Sequence, residues 1–357
     1  MFFSRQQRVN LALQGGGAHG AFTWGVLDRL LEDETLDIGW ISAASAGAVN
    51  AVALVSGLAS DGRAGARTCL KTVWDAVQKA GVPDLVRLNP FFAGLSRSNA
   101  LAQMASLFSP YDLNPLGFDP LRKLLEAHID FAELRGKPGP ELLIAATDVA
   151  TGRPRLFRRR EITVEAVLAS ACLPSLHHAV EIGGRAYWDG GFSANPDIVT
   201  LGRESPVADT LLVLLNPLAR DGVPTAAREI AAQVSEITFN QPLLRDMQLI
   251  ETVRQMDARR PARFRRDPDT RLARHRFHII EAGRYTAPLS PESKGKPEQS
   301  LLAYLHGSGR SEAEKWLARH RDDIGRRPSI DLVAHILHRP ARMPVPASSR
   351  SVPDAAA

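Results

Sequence analysis

Ser45 stands among small residues, Ala43-Ala44-Ser45-Ala46-Gly47, where an apolar strand pattern gives way to a helical one. A serine hydroxyl attacks a carbonyl only when a base takes its proton and donors hold the oxyanion that forms. A sharp strand-to-helix turn lifts such a hydroxyl clear of a sheet and sets it at the positive end of a helix. Small neighbours let the backbone pack into that turn. Two further pieces carry matching chemistry. Gly15-Gly16-Gly17-Ala18-His19-Gly20 is a glycine loop between a strand pattern and a helix pattern. Its backbone N–H groups, unshielded by side chains, can approach a substrate closely. Asp189 opens Asp189-Gly190-Gly191 and offers a carboxylate as base.

Each piece also has a plainer reading. Gly15, Gly17 and Gly20 satisfy Gly-x-Gly-x-x-Gly, the dinucleotide fingerprint. That fingerprint wants an acidic residue closing the second strand, a place taken here by Ser42 to Ser45, with Asp37 ahead of the strand. A loop aspartate before two glycines is often only a turn former. His177 and His178 could complete a Ser-His-Asp arrangement, or be loop residues after Pro174. His19 could influence a bound anion, or simply pack.

The elements that must position these residues follow from periodicity. Val9 to Gln14 reads as a buried strand, and Phe22, Val26, Leu27, Leu30 and Leu31 recur at helical spacing. Ile38 to Ile41 is a second strand, and Ala46 to Leu58 suits a buried helix. Strand, tight loop, helix, strand, tight turn, helix is the pattern of a parallel sheet covered by helices. Further strands are predicted at 141–147, 211–215 and 277–280. Further helices are predicted from Asp119-Pro120 to His128, over Thr163 to Ala171, and from a capping box at Ser311-Glu312-Ala313-Glu314 to His320. Gly81 to Pro115, with Phe91, Phe92 and Phe108 among prolines and serines, reads as a lid or acyl-binding wall, or as a folded connection. From Pro340 onward the composition is that of a disordered tail.

Composition bounds the rest. An apolar fraction of 44% in 357 residues supports a large core, and two cysteines, Cys69 and Cys172, imply no disulfide framework and a reducing compartment. The start, Met1-Phe2-Phe3-Ser4-Arg5, lacks the apolar stretch of a signal peptide, and no apolar run spans a bilayer. The expected location is therefore the cytoplasm, with peripheral membrane contact open. Net charge is +5, and nine arginines between Arg254 and Arg276 face only Asp257, Asp267 and Asp269. Such a cluster could meet an anionic membrane, an acidic protein or nucleic acid, or be a solvated segment. No aromatic ladder or helix-turn-helix pattern accompanies it, so nucleic acid ranks below the membrane.

Together the glycine loop, Ser45 in its turn and Asp189-Gly190-Gly191 resemble the patatin-like phospholipase family, whose members are acyl hydrolases. Ala145-Ala146-Thr147-Asp148-Val149-Ala150-Thr151-Gly152-Arg153 and Ala169-Ser170-Ala171-Cys172-Leu173-Pro174 add to the likeness, which runs from about Val9 to Ser205. The resemblance implies an α/β protein with a three-layer α/β/α fold and a mainly parallel central sheet. It implies Ser45 as nucleophile and Asp189 as base of a Ser-Asp dyad, with an oxyanion hole at Gly15, Gly16, Gly17 and Ala46. Gly20, Gly47, Gly190 and Gly191 would support these motifs. No metal or cofactor is implied. The implied reaction is two-step hydrolysis of a lipid or other ester through an acyl-enzyme. Ala43 stands where the turn usually has glycine, and His19 where an arginine or lysine is common. The expected organisation is an acyl hydrolase domain at 9–205, an extension of unknown role at 206–339 and a tail at 340–357. The alternatives are a hydrolase of soluble esters or storage polyester, a non-catalytic lipid- or protein-binding member, and, from another class, a nucleotide-dependent oxidoreductase.

Overall fold

The first strand is buried on both faces, and its side chains divide between two apolar clusters that set the layers. In β1 (Gln7–Leu13), Val9, Leu11 and Leu13 join one apolar cluster while Ala12 joins another. Successive strand side chains point to opposite faces, so both faces of this strand are covered. The computed structural model describes residues 7–80, 109–115, 117–219, 222–259, 271–332 and 334–335. After β1 come α1 (Gly20–Leu30), β2 (Leu36–Ala43) and α2 (Ala46–Ala80), which is broken at Asp61 and Gly62. Then follow α3 (Pro120–His128), β3 (Leu142–Asp148), β4 (Pro154–Arg158), α4 (Val164–Ser170), β5 (Val180–Ile182) and β6 (Arg185–Asp189). The chain continues through α5 (Val199–Glu204), β7 (Asp209–Leu214), α6 (Ala227–Arg259), β8 (Arg276–Glu281) and α7 (Gln299–His320).

The sheet runs β5-β6-β3-β2-β1-β7-β8, with β4 also paired to β3. The pairs β1–β2, β1–β7, β2–β3 and β7–β8 are parallel, while β4 and β6 run antiparallel to β3, and β5 to β6. Phe22 and Val26 of α1, Val49 of α2, Leu125 of α3, Val167 of α4 and Leu305 of α7 cover one face. Leu201 of α5 and Leu243, Met247 and Ile250 of α6 cover the other. The result is the expected α/β/α sandwich around a mainly parallel sheet. The expected boundary at 205 falls between α5 and β7, and β7 continues the sheet directly, pairing Asn10 with Thr210 through Leu13 with Val213.

Local signals explain most boundaries. Asp119 caps α3 through the Leu121 amide at 3.0 Å, and Thr163 caps α4. The capping box at Ser311 is a correction: α7 starts at Gln299 and passes straight through it. Gly309 lets α7 lie tightly on α1. A Cβ on Gly309 would overlap the Phe22 carbonyl, and one on Gly25 the His306 carbonyl. The long α6 and the short β4 to β6 strands have no clear sequence period and were not expected. The expected lid lies mostly in 81–108, outside the described residues, as does the tail.

Candidate active site

β2 ends at Ala43 and α2 begins at Ala46, so the chain reverses within two residues. Ser45 takes up that turn with φ of +53°, the one described non-glycine residue in the left-handed region. Such a conformation costs about 1–3 kcal/mol and persists only when its surroundings impose it. Those surroundings are visible. The Ser45 amide donates to the Ser170 carbonyl at 3.1 Å and the Ser170 hydroxyl at 3.0 Å. Gly47 tucks under β1, where a Cβ would overlap the Leu13 carbonyl oxygen. Ala43 is fully buried and paired with Leu13 and Ile144, so its methyl sits in the core and leaves the turn unobstructed.

Asp189 closes β6 and is completely buried. Its amide donates to the Cys172 carbonyl at 2.7 Å, and its carbonyl accepts from the Thr147 hydroxyl at 2.8 Å. Oδ1 accepts from the Gly191 amide at 2.7 Å. Oδ2 has no hydrogen bond of regular geometry. The Ser45 hydroxyl is one of the groups that act on this carboxylate, as a donor. Burial pushes the Asp189 pKa up to about 7, against the opposing pull of the Gly191 amide and the Ser45 hydroxyl.

The glycine loop lies alongside. A Cβ on Gly15 would stand 2.7 Å from Ser45 Cβ. The Gly15 amide is not free: it donates to Asn195 Oδ1 at 2.8 Å, which removes Gly15 from the expected oxyanion donors. The amides of Gly16, Gly17 and Ala46 donate to no acceptor among the described residues. Gly20 packs against Ala46, and Asn50 of α2 donates to the Gly20 carbonyl at 3.0 Å. Gly190 and Gly191 form the turn after Asp189, with Phe239 of α6 lying over Gly191.

The histidines go elsewhere. His178 Nε2 pairs with the Pro110 carbonyl at 3.1 Å and its ring stacks on Tyr111 at 4.1 Å. Burial lowers the His177 pKa, against an opposing pull from Asp119. Neither histidine is among the groups acting on Asp189. His19 is buried, shares a hydrogen bond with Ser293 Oγ at 2.8 Å, and is pushed down to about 4 by burial and by the Lys294 charge, so it is neutral at pH 7.

The two extra motif stretches brace the site. Ser170 and Cys172 hold the backbones of Ser45 and Asp189, and Thr147 holds the Asp189 carbonyl while pairing with Ser193 Oγ at 2.7 Å. Asp148 Oδ1 closes its own turn on the Thr151 amide and hydroxyl, both at 2.9 Å. Sequence reasoning missed Gln14, Asn195, Phe239 and Asn240. The only local signal was Asn195-Pro196 six residues after Asp189. In the arginine-rich segment, Arg276 forms a two-pronged pair with Asp209 and Arg254 donates to the His275 carbonyl. Arg260, Arg263, Arg265 and Arg266 lie outside the described residues. Among the described residues no helix is long and apolar enough to cross a membrane.

With that geometry in place, comparison is informative. A family model described as patatin-like phospholipase matches residues 11–201, taking in the glycine loop, Ser45 and Asp189. No curated protein sequence matches the chain. Among solved structures, VipD from Legionella pneumophila is similar over 88% of this chain and 67% of its own, with 16% identity and a TM-score of 0.42. ExoU, in its heterodimeric complex with SpcU from the type III secretion system of Pseudomonas aeruginosa, is similar over 88% of this chain, with 18% identity and a TM-score of 0.32. The chain spans 52% of ExoU, about half its length. Since the family model covers more than half of its residues, the chain belongs to the patatin-like phospholipase family.

Proposed function

We propose that the protein is a serine acyl hydrolase that cleaves carboxylic esters of lipids through a Ser45–Asp189 dyad. The observation that carries this reading is the meeting of a strained serine with a buried aspartate whose pKa stands near 7. A base works best when its pKa lies close to the working pH, and an ordinary carboxylate is too weak to share a serine proton. Burial supplies the difference here. Ser45 Oγ attacks the ester carbonyl as Asp189 Oδ2 takes its proton. The negative charge moves to the carbonyl oxygen, where the free amides of Gly16, Gly17 and Ala46 and the N-terminal end of α2 are the available donors. The tetrahedral intermediate collapses, Asp189 returns the proton to the departing alcohol, and Ser45 carries the acyl group. Water then attacks the acyl-enzyme with Asp189 again as base, releasing the acid and restoring the hydroxyl.

Membership of the family supports the lipid ester as substrate. Contact with an anionic surface is part of the proposal and rests on the net charge of +5 and the run of arginines between 254 and 276, of which Arg254 and Arg276 are engaged within the fold. The test is fatty-acid release from phospholipid vesicles by the wild type, Ser45→Ala and Asp189→Asn. Release by the wild type alone supports the dyad, and release by purified Ser45→Ala refutes it. Vesicle flotation that weakens with added salt supports the charged surface; flotation indifferent to salt, or none, contradicts it.

A further inference from the structure

α6 lies wholly beyond the family-matched residues 11–201, yet it is bonded to both chemical loops of the site. Asn195 is the first link. Its Oδ1 accepts from the Gly15 amide at 2.8 Å and its Nδ2 donates to the Phe239 carbonyl of α6 at 3.0 Å. Gln14, immediately before the glycine loop, is the second. Its Oε1 accepts from the amides of Leu215 and Asn216 at 2.7 and 2.9 Å, just past β7, and its Nε2 donates to Asn240 Oδ1 of α6 at 3.2 Å. Asn240 Nδ2 continues to the Pro217 carbonyl at 2.9 Å. Gln14 and Asn195 are fully buried and Asn240 nearly so. Every side-chain amide oxygen and nitrogen of the three has a partner, and a buried polar network is rigid only when it is satisfied in this way.

The α6 turn that receives them contains Pro242, which cannot donate an amide and clashes with the carbonyl four residues back. The carbonyl that this takes out of the helix ladder is that of Thr238, and the one that accepts from Asn195 is the next, of Phe239. The same residue drives its ring over Gly191 and against Phe192, with centroids 4.8 Å apart. One turn of α6 thus touches the loop after Asp189 and, through Asn195 and Gln14, the start of the glycine loop at Gln14 and the Gly15 amide.

We propose that Asn195, Gln14 and Asn240 are positioning residues through which α6 fixes the direction of the glycine-loop amides. Donors that stabilise a forming oxyanion must be oriented before the charge appears, and a displacement of well under an ångström weakens them. Anchoring the Gly15 amide on Asn195 sets the peptide plane ahead of Gly16 and Gly17, whose own amides stay free. The network therefore acts on the transition state rather than on substrate binding, and it makes catalysis depend on a helix outside the matched region. This inference rests on the acyl hydrolase reading.

The experiment is steady-state hydrolysis of a soluble aryl ester by the full chain, with Ser45→Ala as the control that tests the underlying reading separately. The variants are Asn195→Ala and Asn240→Ala, each checked for a cooperative melt above the assay temperature. The expected result for Asn195→Ala is a fall in kcat of about 10- to 100-fold with KM within about threefold of the wild type. Asn240→Ala, one bond further from the loop, should show a smaller fall in kcat of the same kind. A purely structural role would lower the melting point and leave kcat within twofold in the folded protein, and that result overturns the proposal. So does a loss confined to KM. Should Asn195→Ala not fold, Asn240→Ala alone decides the matter by the same split. Turnover that survives in Ser45→Ala would instead remove the acyl hydrolase reading itself.

Discussion

The Ser45 amide donates to both the carbonyl and the hydroxyl of Ser170, at 3.1 and 3.0 Å. Two residues later the Cys172 carbonyl accepts from the Asp189 amide at 2.7 Å. One short segment at the end of α4 therefore brackets the two residues of the proposed dyad, one in the turn after β2 and the other at the end of β6. The strained turn and the buried carboxylate are held by the same backbone. In the proposed dyad, that shared support takes the place of a third, orienting residue.

The pH dependence of turnover follows from Asp189. With its pKa raised to about 7 by burial, the carboxyl is protonated below that value and cannot accept the Ser45 proton. The profile of kcat/KM should rise with pH through a midpoint near 7, in contrast to the acidic limb expected of an exposed aspartate. A pH–rate series on a soluble ester checks this, and a flat profile between pH 5 and 8 would contradict it.

Stability should move the opposite way. A carboxyl with a folded-state pKa above its unfolded value of about 3.9 binds protons more tightly in the folded protein, so folding is favoured at low pH. Asp189 and Asp246 both behave in this way. Asp246 is pushed up to about 7 by burial and by neighbouring Asp197. Their stabilising contribution is present near pH 4 and is lost as pH rises to about 7. Asp246→Asn should raise the melting temperature at pH 8 and change it little at pH 4.5, as read by thermal denaturation at the two values.

Ser45 itself carries a stability cost. At φ of +53° an alanine keeps the strain and a glycine relieves it. Ser45→Gly should melt above Ser45→Ala, by an amount corresponding to about 1 kcal/mol. Both should be inactive. Equal melting points would show that the turn is not strained.

Gly47→Ala should fail as a folded protein or lose more than about 2 kcal/mol, since its methyl would collide with the Leu13 backbone rather than with a movable side chain. Chemical denaturation of the variant measures this directly.

A chain ending at residue 205 would remove β7, β8, α6 and α7. It would leave β1 with one edge unpaired and the α6 and α7 faces of the sheet open. It is expected to be insoluble or to lack a cooperative melt, as circular dichroism would show.

The local parts of this architecture were plain in the sequence because local signals govern them. The apolar run of Val9 to Leu13, the helical spacing from Phe22 to Leu31 and the cap at Asp119 each describe one element in its own terms. The tight turn at Ser45 and the turn after Asp189 were legible for the same reason, since turn chemistry and chain order mark them. What the sequence hid depends on contacts between distant segments. Gly25 and Gly309 mark a close crossing of α1 and α7, visible only once both helices are in place. The Gly15 amide looks like a donor for substrate and is taken by Asn195, 180 residues away. α6 lacks a clear amphipathic period because its middle serves the site through Phe239 and Asn240 as well as the core through Leu243 and Met247.

The central claim is that Ser45 is an activated nucleophile, and a fluorophosphonate probe tests it most directly. Intact mass after incubation should show a single covalent adduct on the wild type, mapped to the peptide containing Ser45. The adduct should be absent in Ser45→Ala and form more slowly in Asp189→Asn. A folded wild type that stays unlabelled, or an adduct that persists in Ser45→Ala, would contradict it.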